Sequence, residues 1–177
     1  MTSTPPGAVF DCVVFVQALA NRKGPAYACK QFVDNGQVTL YLSPQTANEV
    51  SEVLRRPKLR QKFRTLSPEK VEAFLKDLAE KAVSLSDVPS VFSYARDPKD
   101  EPYVNLAAAS GARYLVTWDK DLLDLMNETR EESRAFRQRF PNLIILDPVA
   151  FLQEMRQRDQ SADRGTDGLR EPPASIG

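Results

Sequence analysis

The sequence contains no histidine, which removes a large part of the usual catalytic repertoire. Without imidazole, Ser-His-Asp catalysis, Cys-His catalysis and every histidine-containing zinc site are excluded. The chain of 177 residues has only 2 cysteines, too few for a disulfide framework. We expect both, Cys12 and Cys29, to be buried thiols in a reducing compartment. Carboxylates therefore remain the main candidates for chemistry.

The sequence also lacks an excess of charge of one sign and a long apolar run. The 24 Lys and Arg residues balance the 24 Asp and Glu residues, so no net basic charge indicates nucleic-acid or membrane binding. The apolar run at 13–16 is far too short to span a bilayer, and the N-terminus does not have the pattern of a secretory signal. We expect a cytoplasmic protein with no membrane partner.

The composition predicts one globular domain with a flexible segment at each end. Apolar residues make up 42% of the chain and charged residues 27%, so a packed core is feasible. Residues 1–7 contain threonine, serine, proline and glycine and are predicted to be flexible. Residues 158–177 contain almost no large apolar side chains, so we expect a disordered tail. The predicted domain spans residues 8–157.

Short apolar runs alternate with longer helical patterns along this domain. The runs lie at 9–16, where Asp11 interrupts an otherwise apolar segment, and at 38–42, 114–117 and 143–146. Helical patterns lie at about 16–35, 44–56, 67–81, 100–110 and 127–139, and a last one follows Asp147 and Pro148. Runs that are apolar on both alternations are typical of a parallel sheet covered on both faces. The alternation predicts a three-layer α/β/α fold with a central parallel sheet.

Two carboxylates fall where a parallel sheet binds its ligands. Asp11 lies within the first apolar run and Asp119 just after the third, and ligands bind beyond the carboxyl ends of parallel strands. A buried charge at Asp11 is costly unless it is paired, hydrogen-bonded or bound to a metal. Each residue also has a structural alternative: Asp11 as a buried acid bonded to backbone amides, and Asp119 as a helix N-cap.

Two further carboxylates lie on predicted helices. Glu49 lies at the border of the apolar stripe of its helix, where it can reach the sheet edge, although such border glutamates are also common on ordinary helices. Asp100 lies on the same face as the packing residue Tyr103. Asp97 is interpreted as a structural residue near the start of that helix.

Four acids without a basic partner repel one another, and a hard cation such as Mg²⁺ or Mn²⁺ relieves that repulsion. A cation held by carboxylates and water polarises phosphoryl oxygen and activates water, as in phosphodiester cleavage. A phosphotransferase with Asp11 as nucleophile is a weaker reading, because Val13 stands where such enzymes have a second aspartate.

Four short motifs in this order resemble the PIN domain. They are Phe10-Asp11, Ser43-Pro44 with Glu49, Asp97-Pro98-Lys99-Asp100, and Thr117-Trp118-Asp119-Lys120-Asp121. The resemblance covers about residues 8–153. Their order and spacing are similar to the branch of the family that contains toxin components of bacterial toxin–antitoxin systems.

The resemblance implies a three-layer α/β/α fold and a Mg²⁺- or Mn²⁺-dependent endoribonuclease. It also implies roles for individual residues: a catalytic quartet of Asp11, Glu49, Asp100 and Asp119, metal ligation by Asp11, Asp100 and Asp119, a hydrogen bond near the site from Thr117, and an accessory acid or helix-orienting charge at Asp121. It further implies an RNA substrate, a homodimer and inhibition by a small antitoxin protein.

Two departures from the family pattern support an alternative function. Cys12 and Val13 stand where the family usually has a polar pair that positions the first aspartate or the substrate. Trp118 stands where a small residue is usual, and its ring could narrow the crevice or stack on a base. The alternative is a PIN-like RNA- or protein-binding module with weak catalysis.

A dense basic run follows the Glu49 helix and is the best candidate for an RNA-backbone surface. Its proposed contacts are Arg55, Arg56, Lys58, Arg60 and Lys62. An ordinary solvated face is an equally good reading of such a run. The arginines at 130–139 alternate with glutamates, so we expect pairing among them.

Overall fold

A computed structural model describes residues 3–167 of the chain. Five parallel strands form one sheet: β1 (Gly7–Phe10), β2 (Thr39–Leu42), β3 (Val83–Ser84), β4 (Tyr114–Val116) and β5 (Ile144–Leu146). The strand order is β3-β2-β1-β4-β5. The chain therefore reverses its direction of strand addition between β1 and β4, and this junction is where parallel sheets open a crevice for ligands.

Helices cover the sheet and complete a three-layer α/β/α sandwich, which confirms the predicted fold class. They are α1 (Cys12–Ala20), α2 (Pro25–Asp34), α3 (Pro44–Leu54), α4 (Pro57–Lys62), α5 (Pro68–Lys81), α6 (Glu101–Ser110), α7 (Lys120–Asp124), α8 (Glu131–Arg139) and α9 (Pro148–Asp167), and a 3₁₀ turn (Pro98–Asp100) precedes α6. No helix within the described residues is both long and apolar enough to span a membrane.

Aromatic side chains hold α9 against the two central strands. The Phe151 ring meets Phe10 of β1 edge-on with centroids 5.8 Å apart, and meets Tyr114 of β4 at 5.4 Å. All three side chains are almost fully buried. Such edge-to-face pairs add about 0.5–1.5 kcal/mol each beyond the burial of apolar area. The core therefore fixes β1 and β4 side by side, directly below the crevice.

The first apolar run is not one strand. Residues 7–10 form β1, but residues 13–16 belong to helix α1, so the prediction of a continuous run is wrong. Helix α1 is packed on most sides, with Val14, Phe15 and Val16 all buried. A short apolar run cannot distinguish a strand from a buried helix by periodicity alone. Asp11 consequently stands at the end of a strand and not within it.

The other differences are a divided helix, an additional strand and the ends of two elements. The predicted helix at 16–35 is two helices, because Gly24 and Pro25 interrupt it and start α2. Strand β3, two exposed residues at the sheet edge, carries no apolar pattern and was not predicted. Residue 7 is part of β1. Helix α9 continues through residues 158–167, for which disorder was predicted, and residues 168–177 lie outside the described part of the chain.

Both cysteines are buried and unpaired, as predicted. Cys29 donates a hydrogen bond to the carbonyl oxygen of Pro148 at 3.5 Å, so it packs between α2 and the start of α9. Burial raises the pKa of the Cys29 thiol to about 12, which keeps it protonated and unreactive. Neither cysteine contributes chemistry as a thiolate.

Candidate metal centre at the sheet edge

The carboxyl ends of β1 and β4 meet in register. Phe10 pairs with Val116, and the amide of Asp11 continues the ladder by donating to the carbonyl oxygen of Val116 at 3.0 Å. Asp11 and Thr117 are therefore the first residues beyond the two strands and lie next to each other. This places the first predicted site residue at the crevice.

Thr117 joins two of the predicted acids. Its hydroxyl donates to Oδ2 of Asp11 at 2.8 Å and accepts from the backbone amide of Asp119 at 2.9 Å. Thr117 has no exposed surface, so this hydroxyl has a fixed position. Burial raises the pKa of Asp11 although the Thr117 bond acts against it, and the carboxylates of Glu49 and Asp119 raise it further. The predicted hydrogen-bonding role of Thr117 agrees with this geometry.

Asp119 is a helix cap and still has an oxygen for a ligand. Its Oδ1 accepts from the backbone amides of Asp121 at 2.8 Å and Leu122 at 3.4 Å, which starts α7. Its Oδ2 makes no hydrogen bond with the residues that the structure describes. The two readings of Asp119 are therefore compatible, because one oxygen orients the side chain and the other remains available.

Asp100 is the most strongly perturbed carboxyl of this edge. Its residue is only 6% exposed, and its Oδ2 has no hydrogen-bond partner among the described residues. Burial raises the pKa of Asp100 to about 7, and the carboxylates of Asp119 and Asp97 add to the effect. A buried, unpartnered carboxylate oxygen is costly, and a bound cation would satisfy it.

Three carboxylates come close enough to share one ion. Asp97, Asp100 and Asp119 each offer one oxygen, and these oxygens lie within 4.8 Å of one another. The donors are all hard oxygens, which suit Mg²⁺ or Mn²⁺ and not softer metals. The residues present therefore fit a divalent cation of this kind.

Asp97 is the member of this group that the sequence reasoning treated as structural only. It does cap the 3₁₀ turn, since its side chain accepts from the amide of Lys99 at 3.1 Å. A 3₁₀ turn has three residues per turn, so Asp97 and Asp100 stand on the same side of it. The three-residue spacing of Asp97 and Asp100 is consistent with two carboxylates on one side of a 3₁₀ turn. An α-helical interpretation of the segment does not predict that arrangement.

Glu49 lies next to the group and not within it. It is half-buried on α3 and accepts a hydrogen bond from the hydroxyl of Tyr103 on α6. Burial of Tyr103, together with this bond, raises the pKa of the tyrosine, which remains a donor. The negative charge of Glu49 raises the pKa of Asp11 and of Cys12, which shows that it lies near both. The helical wheel gave the half-buried position, whereas the partner Tyr103 could not be predicted from it.

Asp121 is directed away from the three-carboxylate group. Its carboxylate pairs with Arg96 at 2.5 Å, and the same guanidinium reaches Asp124 at 3.4 Å. The hydroxyl of Tyr94 donates to the backbone carbonyl of Asp121 at 2.8 Å. These contacts attach the segment before Asp97 to α7. They support the helix-orienting reading of Asp121 more than that of an accessory acid.

The residues that depart from the family pattern differ in how they are packed. Cys12 is buried and begins α1, while the neighbouring Val13 is 48% exposed. Burial raises the pKa of Cys12 to about 12, with Glu49 and Asp11 adding to it. The indole nitrogen of Trp118 donates to Oε1 of Gln17 at 2.6 Å, which fastens the ring to α1.

The basic run forms the end of α3 and all of α4. Arg55 is occupied by a bidentate pair with Glu72 at 2.9 and 3.0 Å. The remaining predicted contacts differ in exposure: Arg56, Lys58 and Lys62 are exposed, and Arg60 is half-buried with an unpartnered Nε. The positive charge of Arg56 acts to lower the pKa of the Cys12 thiol, so this end of the run lies near the crevice.

The arginines of the α8 region pair locally in part, as the alternating charges predicted. Arg137 pairs with Glu128 at 2.5 Å, and Arg130 pairs with Asp124 at 2.9 Å. These pairs occupy cations that could otherwise contact phosphate. The α8 region is therefore a weaker candidate for an RNA surface than α4.

Comparison with known proteins gives one family. The family model described as the PIN domain matches residues 7–121, well over half of the chain. This span runs from β1 to the first turn of α7 and contains Asp11, Glu49, Asp97, Asp100 and Asp119. No curated protein matches the sequence. On the strength of the family match, together with the parallel sheet and the acids at its edge, the chain belongs to the PIN-domain family.

Proposed function

We propose that this protein is a divalent-metal-dependent endoribonuclease that hydrolyses RNA phosphodiester bonds. The observation that carries the proposal is the unpartnered oxygen of buried Asp100 within the group formed with Asp97 and Asp119. PIN domains are generally nucleases and typically use divalent metals. An oxygen-only group at the crevice of the sheet is the arrangement that such chemistry requires.

Asp97, Asp100 and Asp119 would hold a Mg²⁺ or Mn²⁺ ion, and Asp11 lies beside them as the fourth candidate ligand. When bound, the cation polarises a phosphoryl oxygen and lowers the pKa of water. Its positive charge would also offset the mutual repulsion of the carboxylates that raises the pKa of Asp100. Three oxygens from the protein leave further coordination positions for water and phosphate.

The chain's own residues orient the remaining catalytic groups. Thr117 fixes Asp11, and Tyr103 fixes Glu49, so both carboxylates are oriented by hydrogen bonds from the protein. In the proposed reaction, Asp11 and Glu49 accept hydrogen bonds from the attacking water and direct it toward the phosphorus. Preorganised acceptors of this kind reduce the entropy cost of reaching the transition state.

The exposed cations Arg56, Lys58 and Lys62 would contact the RNA backbone. Each phosphate contact to a single strand contributes about −0.7 to the slope of log affinity against log salt. Replacing all three with glutamine should therefore reduce the magnitude of that slope by about 2. Replacing Arg55, which is paired with Glu72, should change it less.

The finer role is that of a cytoplasmic toxin that is inhibited by a small antitoxin and forms a homodimer. Its support is the order and spacing of the four motifs. Induced expression should arrest growth in the wild type and not in Asp100→Asn. Equal arrest by both would contradict this role while leaving the nuclease proposal open to its own test.

Cleavage of a labelled RNA by purified protein tests the nuclease function. We expect cleavage with Mg²⁺ or Mn²⁺, none in EDTA, and a loss of at least about 100-fold in Asp100→Asn or Asp119→Asn. Asp87→Asn, at an exposed aspartate outside the group, is the matched control. Cleavage that persists in EDTA, or at full rate in Asp100→Asn, would refute the proposal.

The second candidate function is an RNA- or protein-binding module with weak catalysis. The observation that favours it is the pair Cys12 and Val13, which offers no polar side chain next to Asp11. The double substitution Cys12→Thr with Val13→Asn restores a polar pair. A large gain in cleavage rate would show that these residues limit catalysis, and an unchanged rate would show that they do not.

A further inference from the structure

The three carboxylates of the metal group lie on three separate pieces of the chain. Asp100 ends the 3₁₀ turn that leads into α6, and Asp119 caps α7. Asp97 is the last residue of the Asp97 segment, residues 85–97, which connects β3 to the 3₁₀ turn as irregular backbone. Connecting segments are generally more mobile than the elements they join. The position of Asp97 therefore depends on the contacts that hold this segment.

The middle of the Asp97 segment is fixed to α6. Oδ1 of Asn105 accepts from the backbone amides of Val91 at 2.9 Å and Phe92 at 2.8 Å. One turn nearer the start of the helix, Oε1 of Glu101 accepts from the amide of Tyr94 at 2.7 Å. These bonds locate the segment relative to α6, and so relative to the acid at the start of that helix.

The end of the Asp97 segment is fixed to α7. Nη2 of Arg96 lies 2.5 Å from Oδ1 of Asp121 and 3.4 Å from Oδ2 of Asp124. The hydroxyl of Tyr94 donates to the backbone carbonyl of Asp121 at 2.8 Å. Because α7 begins directly after Asp119, these contacts tie the segment to the helix that carries the third acid.

The ion pair of Arg96 suits positioning better than stabilisation. Its three side chains are between 33% and 37% exposed, and pairs in contact with water contribute little to stability. The backbone at Asp97 is extended, and neighbouring side chains on extended backbone point to different sides. Because Arg96 is held against α7, Asp97 turns toward the other two acids, and one of its oxygens lies within 4.8 Å of theirs.

We propose that Arg96 is a positioning residue for the metal centre, and that its pair with Asp121 and Asp124 holds the Asp97 segment in the geometry that binds the ion. The inference rests on the metal centre of the proposed function. It gives Asp121 a role that is exerted through Arg96 and not at the ion. Partners that orient metal ligands typically change metal affinity by about 10- to 100-fold when they are replaced.

Charge and position predict opposite effects for the loss of Arg96. Removing a cation near a group of carboxylates makes the site more negative, which by Coulomb attraction alone would tighten the binding of a divalent cation by about twofold. Releasing the Asp97 segment weakens binding, because its ordering must then be completed when the ion binds. The direction of the change in Arg96→Gln therefore distinguishes the two effects.

Titration with Mn²⁺ measures this change without relying on cleavage, with free Mn²⁺ quantified by its electron paramagnetic resonance signal. We expect Arg96→Gln to bind Mn²⁺ roughly 10- to 100-fold more weakly than the wild type. Arg96→Lys should recover most of the affinity, because one nitrogen contacts both acids in the wild type. Tyr94→Phe keeps the ring against Phe92 and loses one hydrogen bond, so it should weaken binding by roughly two- to tenfold.

The matched control is Arg130→Gln. Arg130 also pairs with Asp124, at 2.9 Å, but it lies at the start of α8 and outside the Asp97 segment. Its loss should leave the affinity for Mn²⁺ within about twofold of the wild type. Urea unfolding shows whether each variant is folded.

Three results would overturn the assignment: unchanged or tighter Mn²⁺ binding by Arg96→Gln, equal weakening in Arg130→Gln, or no recovery in Arg96→Lys. If Arg96→Gln does not fold, Tyr94→Phe decides, because unchanged binding in that variant would also overturn the assignment.

Cleavage separates this inference from the proposed function. Arg96→Gln should need more Mn²⁺ for half-maximal cleavage and approach the wild-type rate at saturating Mn²⁺. If the wild type cleaves RNA and Arg96→Gln binds Mn²⁺ equally well, the Arg96 assignment fails and the nuclease function stands. If Arg96→Gln binds Mn²⁺ weakly but the wild type does not cleave, the assignment stands and the nuclease function fails. A wild type that binds no Mn²⁺ would overturn both.

Discussion

Replacing Asp100 with asparagine should make the metal-free protein more stable at neutral pH. The carboxyl has a pKa of about 7 in the folded chain, because it is buried and faces Asp119 and Asp97, against an ordinary value of 3.8. Below about pH 4 the group is protonated in both states and has no effect on stability. Between these values the unfolded chain ionises while the folded chain keeps its proton, so stability falls as pH rises. Above pH 7 the loss is complete.

The size of this effect follows from the shift. Raising the pKa from 3.8 to about 7 corresponds to about 4 kcal/mol, and solvent near the partly exposed neighbouring acids reduces this to about 2–4 kcal/mol. Asparagine cannot ionise, so the variant avoids the loss. The difference in unfolding free energy between Asp100→Asn and the wild type should therefore grow by about 2–4 kcal/mol from pH 4 to pH 8.

Urea unfolding in EDTA at fixed ionic strength, from pH 4 to pH 8, measures this difference, and Asp87→Asn is the control for removal of an exposed carboxylate. Adding Mg²⁺ at pH 8 should remove most of this difference, because a cation at about 100 times its dissociation constant stabilises the wild type by about 2.7 kcal/mol. A pH-independent difference between Asp100→Asn and the wild type, or one equal to that of Asp87→Asn, would refute the reasoning.

Three further substitutions test the contacts around the site by urea unfolding and by cleavage rate. Thr117→Val should cost about 1–3 kcal/mol and slow cleavage, because Asp11 loses its donor, whereas Thr117→Ser should restore both. Tyr103→Phe should cost about 1.5–3 kcal/mol and slow cleavage, because Glu49 loses its bond, and an unchanged rate would exclude a role for that bond. Lys30→Met should cost about 1–3 kcal/mol without slowing cleavage, because it removes the buried lysine that pairs with Asp77 and so joins α2 to α5, and neither helix carries a candidate site residue.

Most of the sheet could be predicted from the sequence because its central strands β1 and β4 are buried on both faces. The runs that contain β4 and β5 are apolar in succession, and the run that contains β2 is apolar apart from Thr39. In runs this short, β-branched and aromatic residues favour a strand over a helix. Helix α1 failed the same test for a physical reason. It is surrounded by other elements, so it lacks the polar face that identifies a surface helix. Strand β3 failed for the opposite reason, because both of its residues are exposed.

The acids at strand ends could also be predicted, and their partners could not. Asp11 and Asp119 follow from the rule that ligands bind at the carboxyl edge. Thr117 was placed near the site by resemblance alone, and its bonds to Asp11 and Asp119 depend on the register of β1 against β4, which is a tertiary fact. The side-chain oxygen of Asn105 on α6 accepts hydrogen bonds from the amides of Val91 and Phe92, and these bonds likewise depend on how that loop packs against α6. Hydrogen bonds between residues distant in sequence leave no trace in local periodicity.

The most informative feature of the site is where the chain directs its nearby positive charge. Arg96 directly precedes the acidic group in sequence, yet its guanidinium pairs with Asp121 and Asp124. The charged groups that most strongly shift the pKa of Asp100 are all carboxylates, and its free oxygen has no donor among the described residues. A chain optimised for stability alone would pair or replace such a group. An acidic group left uncompensated while the neighbouring arginine pairs elsewhere is what a cation site requires, because an arginine there would compete with the ion.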